Sequence, residues 1–335
     1  MTKEQPDISF IMAAYNAAET LSKAIESALA QTGVTVEVIV ADDCSGDGTR
    51  EVAKSYFQRN VRLLTLERNG GPAAARNAAI AAATGRWLAV LDSDDAIEPG
   101  RLARLIARAE KAGAQIAVDN LRVIRADGTP PETMFSEGAL AAMPELTLAD
   151  FIRSNALFQT THNFGYLKPV FERAFIERHA LRFDENLRIG EDYVFLASAL
   201  ALGARCVVEP VAGYDYNIRE GSISRVLELR HIEAMMEADR VFLGKHTLDV
   251  EAVSAQQFRT RSLRQARSFL LLVDSIKNRS ISGTIKAAWS DPVALRHLKM
   301  PIAVRINRLA AALRNLAGLK TDIQTFGSVP RSPKG

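Results

Sequence analysis

At 335 residues, 47% hydrophobic and 24% charged, the chain is long enough to bury one large core or two smaller ones, and too evenly mixed to be fibrous or disordered. No stretch is long and apolar enough to span a bilayer, the N-terminus lacks the pattern of a secretory signal, and Cys44 and Cys206 have no CxxC or Cys/His spacing for zinc, so a reducing, cytoplasmic setting is expected. The net charge of +3 hides an asymmetry: from Arg259 onward fifteen Lys and Arg stand against three Asp and Glu, which leaves the preceding residues with nine excess negative charges and makes the tail a separate electrostatic object.

Residues 7–119 alternate short apolar runs with helical patterns, the signature of a parallel sheet covered by helices. ISFIMAA reads as the first strand, followed by the helix ETLSKAIESALAQ with Leu21, Ile25 and Ala28/Leu29 on one face. VEVIVA is the second strand, and a helix capped by Thr49 follows. VRLLTL is the third, after which NGGP turns into the alanine-rich helix AAARNAAIAAA. RWLAVL, the helix RLARLIARAEK and the strand AQIAVDN complete an α/β, doubly wound, mostly parallel sheet. After the turn cluster RADGTPP the alternation is lost. Residues 126–227 then read as an irregular half with the helices VFERAFIERH and EDYVFLASALAL, the strand-like RCVVEPV and the polar YDYNIREGSIS. Residues 228–335 read as a basic, amphipathic helical region.

Ligands of open α/β sheets bind beyond the carboxyl ends of the strands, and here those ends are polar. They carry Tyr15-Asn16, Asp42-Asp43, Asn69-Gly70-Gly71 and Asp92-Ser93-Asp94-Asp95. Crowded carboxylates repel one another, so the last group implies either a hard divalent cation or a set of helix-capping and turn residues. Tyr15 offers a face to stack on a base and Asp43 an acceptor for a base N–H; the alternative is a surface tyrosine and a turn. Arg76, in the first turn of a helix that follows two glycines, suits a phosphate or is simply exposed.

Taken in order, SFIMAAYNAAETLSKAIESALAQT, VEVIVADDCSGDGT, RNGGPAAARNAAIAAATGRWLAVLDSDDAIEPGRL and GEDYVFL resemble the successive motifs of the family 2 glycosyltransferases over about residues 7–225. The resemblance implies a GT-A fold, a nucleotide-sugar donor, with a UDP-sugar expected, and Mn²⁺ or Mg²⁺ bridging the DxD and the diphosphate. It places Tyr15 and Asp43 at the base, Arg76 at the helix arginine, Asp94 as the principal metal carboxylate, Asp92 at ribose or metal, and Asp95 in support. Ala13-Ala14 stand where many members have a proline before the tyrosine pair.

In the GED stretch Asp192 matches the family's catalytic base, which removes the acceptor hydroxyl proton in an inverting transfer; as isolated residues, Glu191 and Asp192 also read as helix caps. In YNIREGSIS, similar to a segment that closes over the donor in relatives, Arg219 pairs with the diphosphate and Ser222 or Ser224 with phosphate or acceptor oxygens, unless the loop is merely polar. His162-Asn163 line the acceptor pocket in one reading and are structural in the other. Ile306, Leu309, Leu313 and Leu316 repeat at helical spacing beside Arg305, Arg308 and Arg314, which fits an anionic membrane surface or packing on the chain's own domain, and nothing fits nucleic acid. The expected function is therefore metal-dependent, inverting transfer of a sugar to a glycan acceptor, taken to be a lipid-linked oligosaccharide of a bacterial exopolysaccharide pathway at the cytoplasmic membrane face. A sugar nucleotidyltransferase and a nicotinamide oxidoreductase are disfavoured because AAYNAAET stands where each needs a glycine-rich phosphate loop. A domain that binds a nucleotide sugar without turning it over is disfavoured by the presence of both Asp94 and Asp192.

Overall fold

The computed structural model describes residues 5–159, 162–218 and 227–278, with Trp289 alone beyond them. The chain divides into two compact units, Met1–Arg264 and Gln265–Gly335; the architecture described is that of the first.

β1 (Ile8–Ala14), β2 (Val36–Asp42), β3 (Val61–Thr65) and β4 (Trp87–Val90) lie in the order β3-β2-β1-β4 and are mutually parallel. β1, β2 and β4 are buried on both faces almost throughout, which is why they read as continuous apolar runs instead of alternating ones. Helices α1 (Leu21–Leu29), α2 (Thr49–Lys54), α3 (Pro72–Ala82) and α4 (Arg101–Ala112) connect and cover them. α1 buries Leu21, Ala24, Ile25 and Ala28, the apolar stripe that the sequence spacing predicts. Thr49 is the first residue of α2 and not its cap: Gly48 takes the cap position, and the Asp47 carboxylate accepts the Thr49 N–H at 3.0 Å. Asp47, two residues earlier, satisfies an orphan N–H that the Thr49 hydroxyl cannot reach from inside the helix.

The second half widens the sheet. β5 (Ala96–Ile97), β6 (Ile116–Arg125), β7 (Glu132–Thr133), β8 (Val170–Glu172) and β9 (Cys206–Ile218) extend it to β3-β2-β1-β4-β8-β6-β9-β5, with β7 on β6. β8 runs antiparallel to both β4 and β6, so the parallel layer becomes a mixed sheet at this point. Val170 and Phe171, read from sequence as the start of a helix, form β8, and the helix α7 begins only at Arg173 (Arg173–Arg178). Both residues are buried in the slot between β4 and β6, where burial outweighs helical periodicity. β9 continues through the polar YDYNI as far as Ile218, paired with β6 across a bulge between Asp119 and Leu121.

Helices α5 (Glu137–Ala141), α6 (Leu148–Ser154) and α8 (Glu191–Ala201) pack around this half, followed by α9 (Leu229–Lys245) and α10 (Val250–Lys277). α9 and the opening turns of α10 are tied together by a buried ion pair, with Asp239 Oδ2 accepting from Arg259 Nε at 3.0 Å. Among the described residues no helix is long and apolar enough to cross a membrane.

Candidate active site

The carboxyl ends of β1 and β4, the first turns of α3 and α8, and the end of β9 surround one cleft of about 640 Å³. Its wall contains Tyr15, Arg76, Asp92, Asp94 and Asp192, so residues from three separated sequence motifs meet.

Arg76 is the hub. Only 5% exposed, it donates from Nη2 to Asp92 Oδ1 at 2.9 Å and from Nη1 to Glu191 Oε1 at 2.9 Å and Asp192 Oδ1 at 3.1 Å. The helix-start arginine that the sequence offered to a phosphate is thus engaged by three carboxylates. Asp92 has a second cation, because Lys168 Nζ donates to its Oδ2 at 2.6 Å. Burial alone would raise the Asp92 pKa, but Lys168 and Arg76 outweigh it and hold the carboxyl well below the usual carboxylate range. Glu191 goes the other way: burial and the neighbouring Asp192 charge push it up to about 7 despite Arg76. Asp192 is 36% exposed, the arrangement a general base needs to meet an incoming substrate.

A second tier holds this arrangement from behind. Arg101 and Asp119 are fully buried and paired at 2.7 Å. Arg101 Nη2 also donates to the Lys168 carbonyl at 2.6 Å, and its guanidinium lies 5.2 Å from the Tyr214 ring centroid. The Tyr214 hydroxyl donates to Asp95 Oδ2 at 2.8 Å and accepts the Asp92 N–H at 3.2 Å. Asn217, near the end of β9, donates its N–H to Asp95 Oδ1 at 2.8 Å and its side-chain amide to the Asp94 carbonyl at 2.9 Å. Asp95 is therefore the residue that fastens β9 to the acidic turn, and burial beside Asp92 raises it to about 7.

At the other end of the cleft Tyr15 is 53% exposed at the mouth. Asp43 is buried, its two carboxylate oxygens accepting the Gly70 and Gly71 N–H groups at 2.7 and 2.8 Å. Each oxygen retains a further lone pair for another donor. Gly71 has φ +86°, a left-handed conformation that favours glycine, and the Arg188 side chain lies where a Cβ would stand, 2.9 Å away at Nη1. On the far side stand Asn155, Tyr166 and Tyr216, with Arg259 behind them. Arg259 stacks 3.6 Å from the centroid of the Tyr193 ring, the residue next to Asp192, and donates to the Asn155 carbonyl at 2.8 Å. Asn163 lines the cleft, while the His162 ring meets the edge of Tyr166 at 5.8 Å. Arg219, Ser222, Ser224 and the tail residues Arg305 to Leu316 lie outside the described residues.

Sequence reasoning missed Lys168, Arg101, Asp119, Tyr214 and Arg188. The only signal was polar residues inside apolar patterns, such as Lys168 in GYLKPVF and Asp119 in AQIAVDN. For a metal, no three His, Cys, Asp or Glu side chains converge among the described residues. The donor set does fit a hard cation that takes one or two carboxylates and draws its remaining ligands from substrate phosphates and water. Asp94 lies half-buried on the cleft wall, two positions from Asp92, whose two oxygens accept from Arg76 and Lys168.

The Glycosyl transferase family 2 profile matches residues 9–175. The chain is 61% identical over 306 residues to the succinoglycan biosynthesis protein ExoO of Rhizobium meliloti (strain 1021), covering 91% of this chain and 88% of that one. It is 34% identical over 302 residues to ExoU of the same strain, also a succinoglycan biosynthesis protein, covering 88% and 86%. In fold it is similar to S. aureus TarS 1-349 in complex with UDP-GlcNAc, with a TM-score of 0.63 at 23% identity over 84% of this chain and 79% of that one.

Proposed function

The chain belongs to the family 2 glycosyltransferases, and from that premise we propose that it transfers a sugar, with inversion and with help from a divalent metal, from a UDP-sugar to a lipid-linked glycan during exopolysaccharide assembly. The relatives involved in succinoglycan biosynthesis support the pathway class, and the likeness to a protein that holds UDP-GlcNAc supports the donor class. The observation that carries the reading is the bridge made by Arg76, which spans Asp92 of the acidic turn and Asp192 of the GED loop through one guanidinium.

In the proposed mechanism Tyr15 stacks on the base and Asp43 accepts its N–H, which sets the donor along the strand ends. Asp94, with Asp92 beside it, would hold Mn²⁺ or Mg²⁺, and the metal when bound supplies positive charge to the diphosphate. Arg76 keeps Asp192 oriented. Asp192 takes the proton from the acceptor hydroxyl as that oxygen attacks the anomeric carbon from the face opposite the nucleotide, and the bond from that carbon to the diphosphate breaks, releasing the nucleoside diphosphate with the electron pair. Tyr166 and Tyr216, on the far side, offer aromatic faces to the acceptor. Arg219 is retained as a diphosphate ligand on the family resemblance.

Asp192→Asn should lower transfer at least about a thousandfold while leaving UDP affinity within about twofold. The check is turnover on a panel of nucleotide sugars beside calorimetric UDP binding. Wild-type protein that binds a nucleotide sugar with Mn²⁺ and never cleaves it would overturn the enzymatic reading. A lipid-linked acceptor and the basic tail of the sequence together support a peripheral location at the cytoplasmic membrane face. The full chain should sediment with anionic vesicles and be released as salt rises, and indifference to vesicle charge would remove the membrane from the proposal.

A further inference from the structure

Four cations line the cleft among the described residues: Arg76, Lys168, Arg188 and Arg259. Three are committed to carboxylates at 3.1 Å or less, Arg76 to Asp92, Glu191 and Asp192, Lys168 to Asp92, and Arg259 to Asp239. Arg188 differs. Its Nη1 donates at 3.2 Å to the neutral Asn69 side-chain oxygen, the guanidinium lies across Gly71, and the residue is exposed. A nucleoside diphosphate adds at least two negative charges to a cleft that already holds Asp92, Asp94, Asp95, Glu191 and Asp192. A cation whose charge is already balanced does little for that anion, whereas one bound only to an amide oxygen is available to it.

From this charge balance we propose that Arg188 is a ligand of the donor's diphosphate. The proposal rests on the nucleotide-sugar reading of the cleft. Position supports it: Arg188 sits against the Asn69–Gly71 turn that opens α3, whose glycine N–H groups hold Asp43, so it flanks the proposed base site. The planar guanidinium presents a fork that matches two phosphate oxygens, and the hydrogen bond to Asn69 is long enough to be exchanged for a charged partner. Gly71 clears the space that the side chain needs to lie there. Arg188 is also four positions before Asp192, in the loop that leads into α8, so a diphosphate held at Arg188 steadies the entry to the helix that carries the base.

The test is calorimetry on the full chain with Mn²⁺, titrating UDP, GDP and dTDP, each beside its own nucleoside. For whichever diphosphate the wild type binds, Arg188→Ala should weaken affinity about tenfold or more while leaving the nucleoside within about twofold, and Arg188→Lys should recover part of the loss. Unchanged diphosphate affinity in Arg188→Ala overturns the proposal, and so does an equal loss for diphosphate and nucleoside, which would make Arg188 a prop for the Gly71 turn. A wild-type chain that binds none of the diphosphates overturns the nucleotide reading itself, an outcome distinct from either. An unaltered thermal midpoint in both variants excludes misfolding as the cause.

Discussion

Glu191 is a carboxyl group in an unfavourable place, buried against Asp192 and relieved by Arg76, and its raised pKa has a sign that can be checked. The native state keeps a proton that the unfolded chain loses at its ordinary value of 4.5, until the pH passes about 7. Between these values folding takes up a proton, so stability from this group is full below the lower value and declines as pH rises through the upper one. Glu191→Gln should therefore flatten the fall in urea midpoint between about pH 5 and about pH 8, and a parallel decline in both proteins would show that Glu191 is not the group concerned. The residues legible in the sequence share one property, which is that a local pattern announces them. Tyr15, Asp43, Asp94 and Asp192 each stand at a strand end or helix start beside small or acidic neighbours. Lys168 and Arg188 escaped notice because their meaning depends on a partner far along the chain; Lys168 reaches Asp92 across 76 positions. The role of Arg76 changed for the same reason, its contact with Asp192 spanning 116.

Among the elements, α4 and β6 are joined by the Arg101–Asp119 pair, and the two do more than hold each other. Arg101 also secures the peptide of Lys168, just before β8, and lies over Tyr214 of β9, so three strands of the mixed half are indexed to one guanidinium. Burial pushes Asp119 upward even with Arg101 beside it. Arg101→Met should cost about 3–5 kcal/mol, because a buried carboxylate loses its partner, and adding Asp119→Leu should return a substantial part of that loss. Urea unfolding of the single and double variants measures this, and a double variant no more stable than the single would mean that Arg101 acts through its contacts with Lys168 and Tyr214 instead. The parallel half was legible as elements because its strands are apolar runs, three of the four buried almost throughout, separated by regular helices. β8 was not, since three residues carry no period of their own and are a strand only because β4 and β6 leave a slot for them. The outer half of β9 looked like loop because its polar residues pair with the acidic turn and line the cleft.

For the molecule as a whole, the acidic cleft has cations of its own in place before any ligand arrives. Arg76 and Lys168 neutralise the most crowded carboxylates, and the second tier fixes their positions. Structural and catalytic requirements are thereby separated: chelating divalent metal should stop turnover while shifting the thermal midpoint by less than about 2 °C, as differential scanning calorimetry would detect. A large drop on chelation would mean that the cleft depends on metal to fold. The bridge through Arg76 also means that two segments a hundred residues apart, the acidic turn and the start of α8, are clamped to each other by one side chain, so the spacing between Asp92 and Asp192 is set by the protein itself.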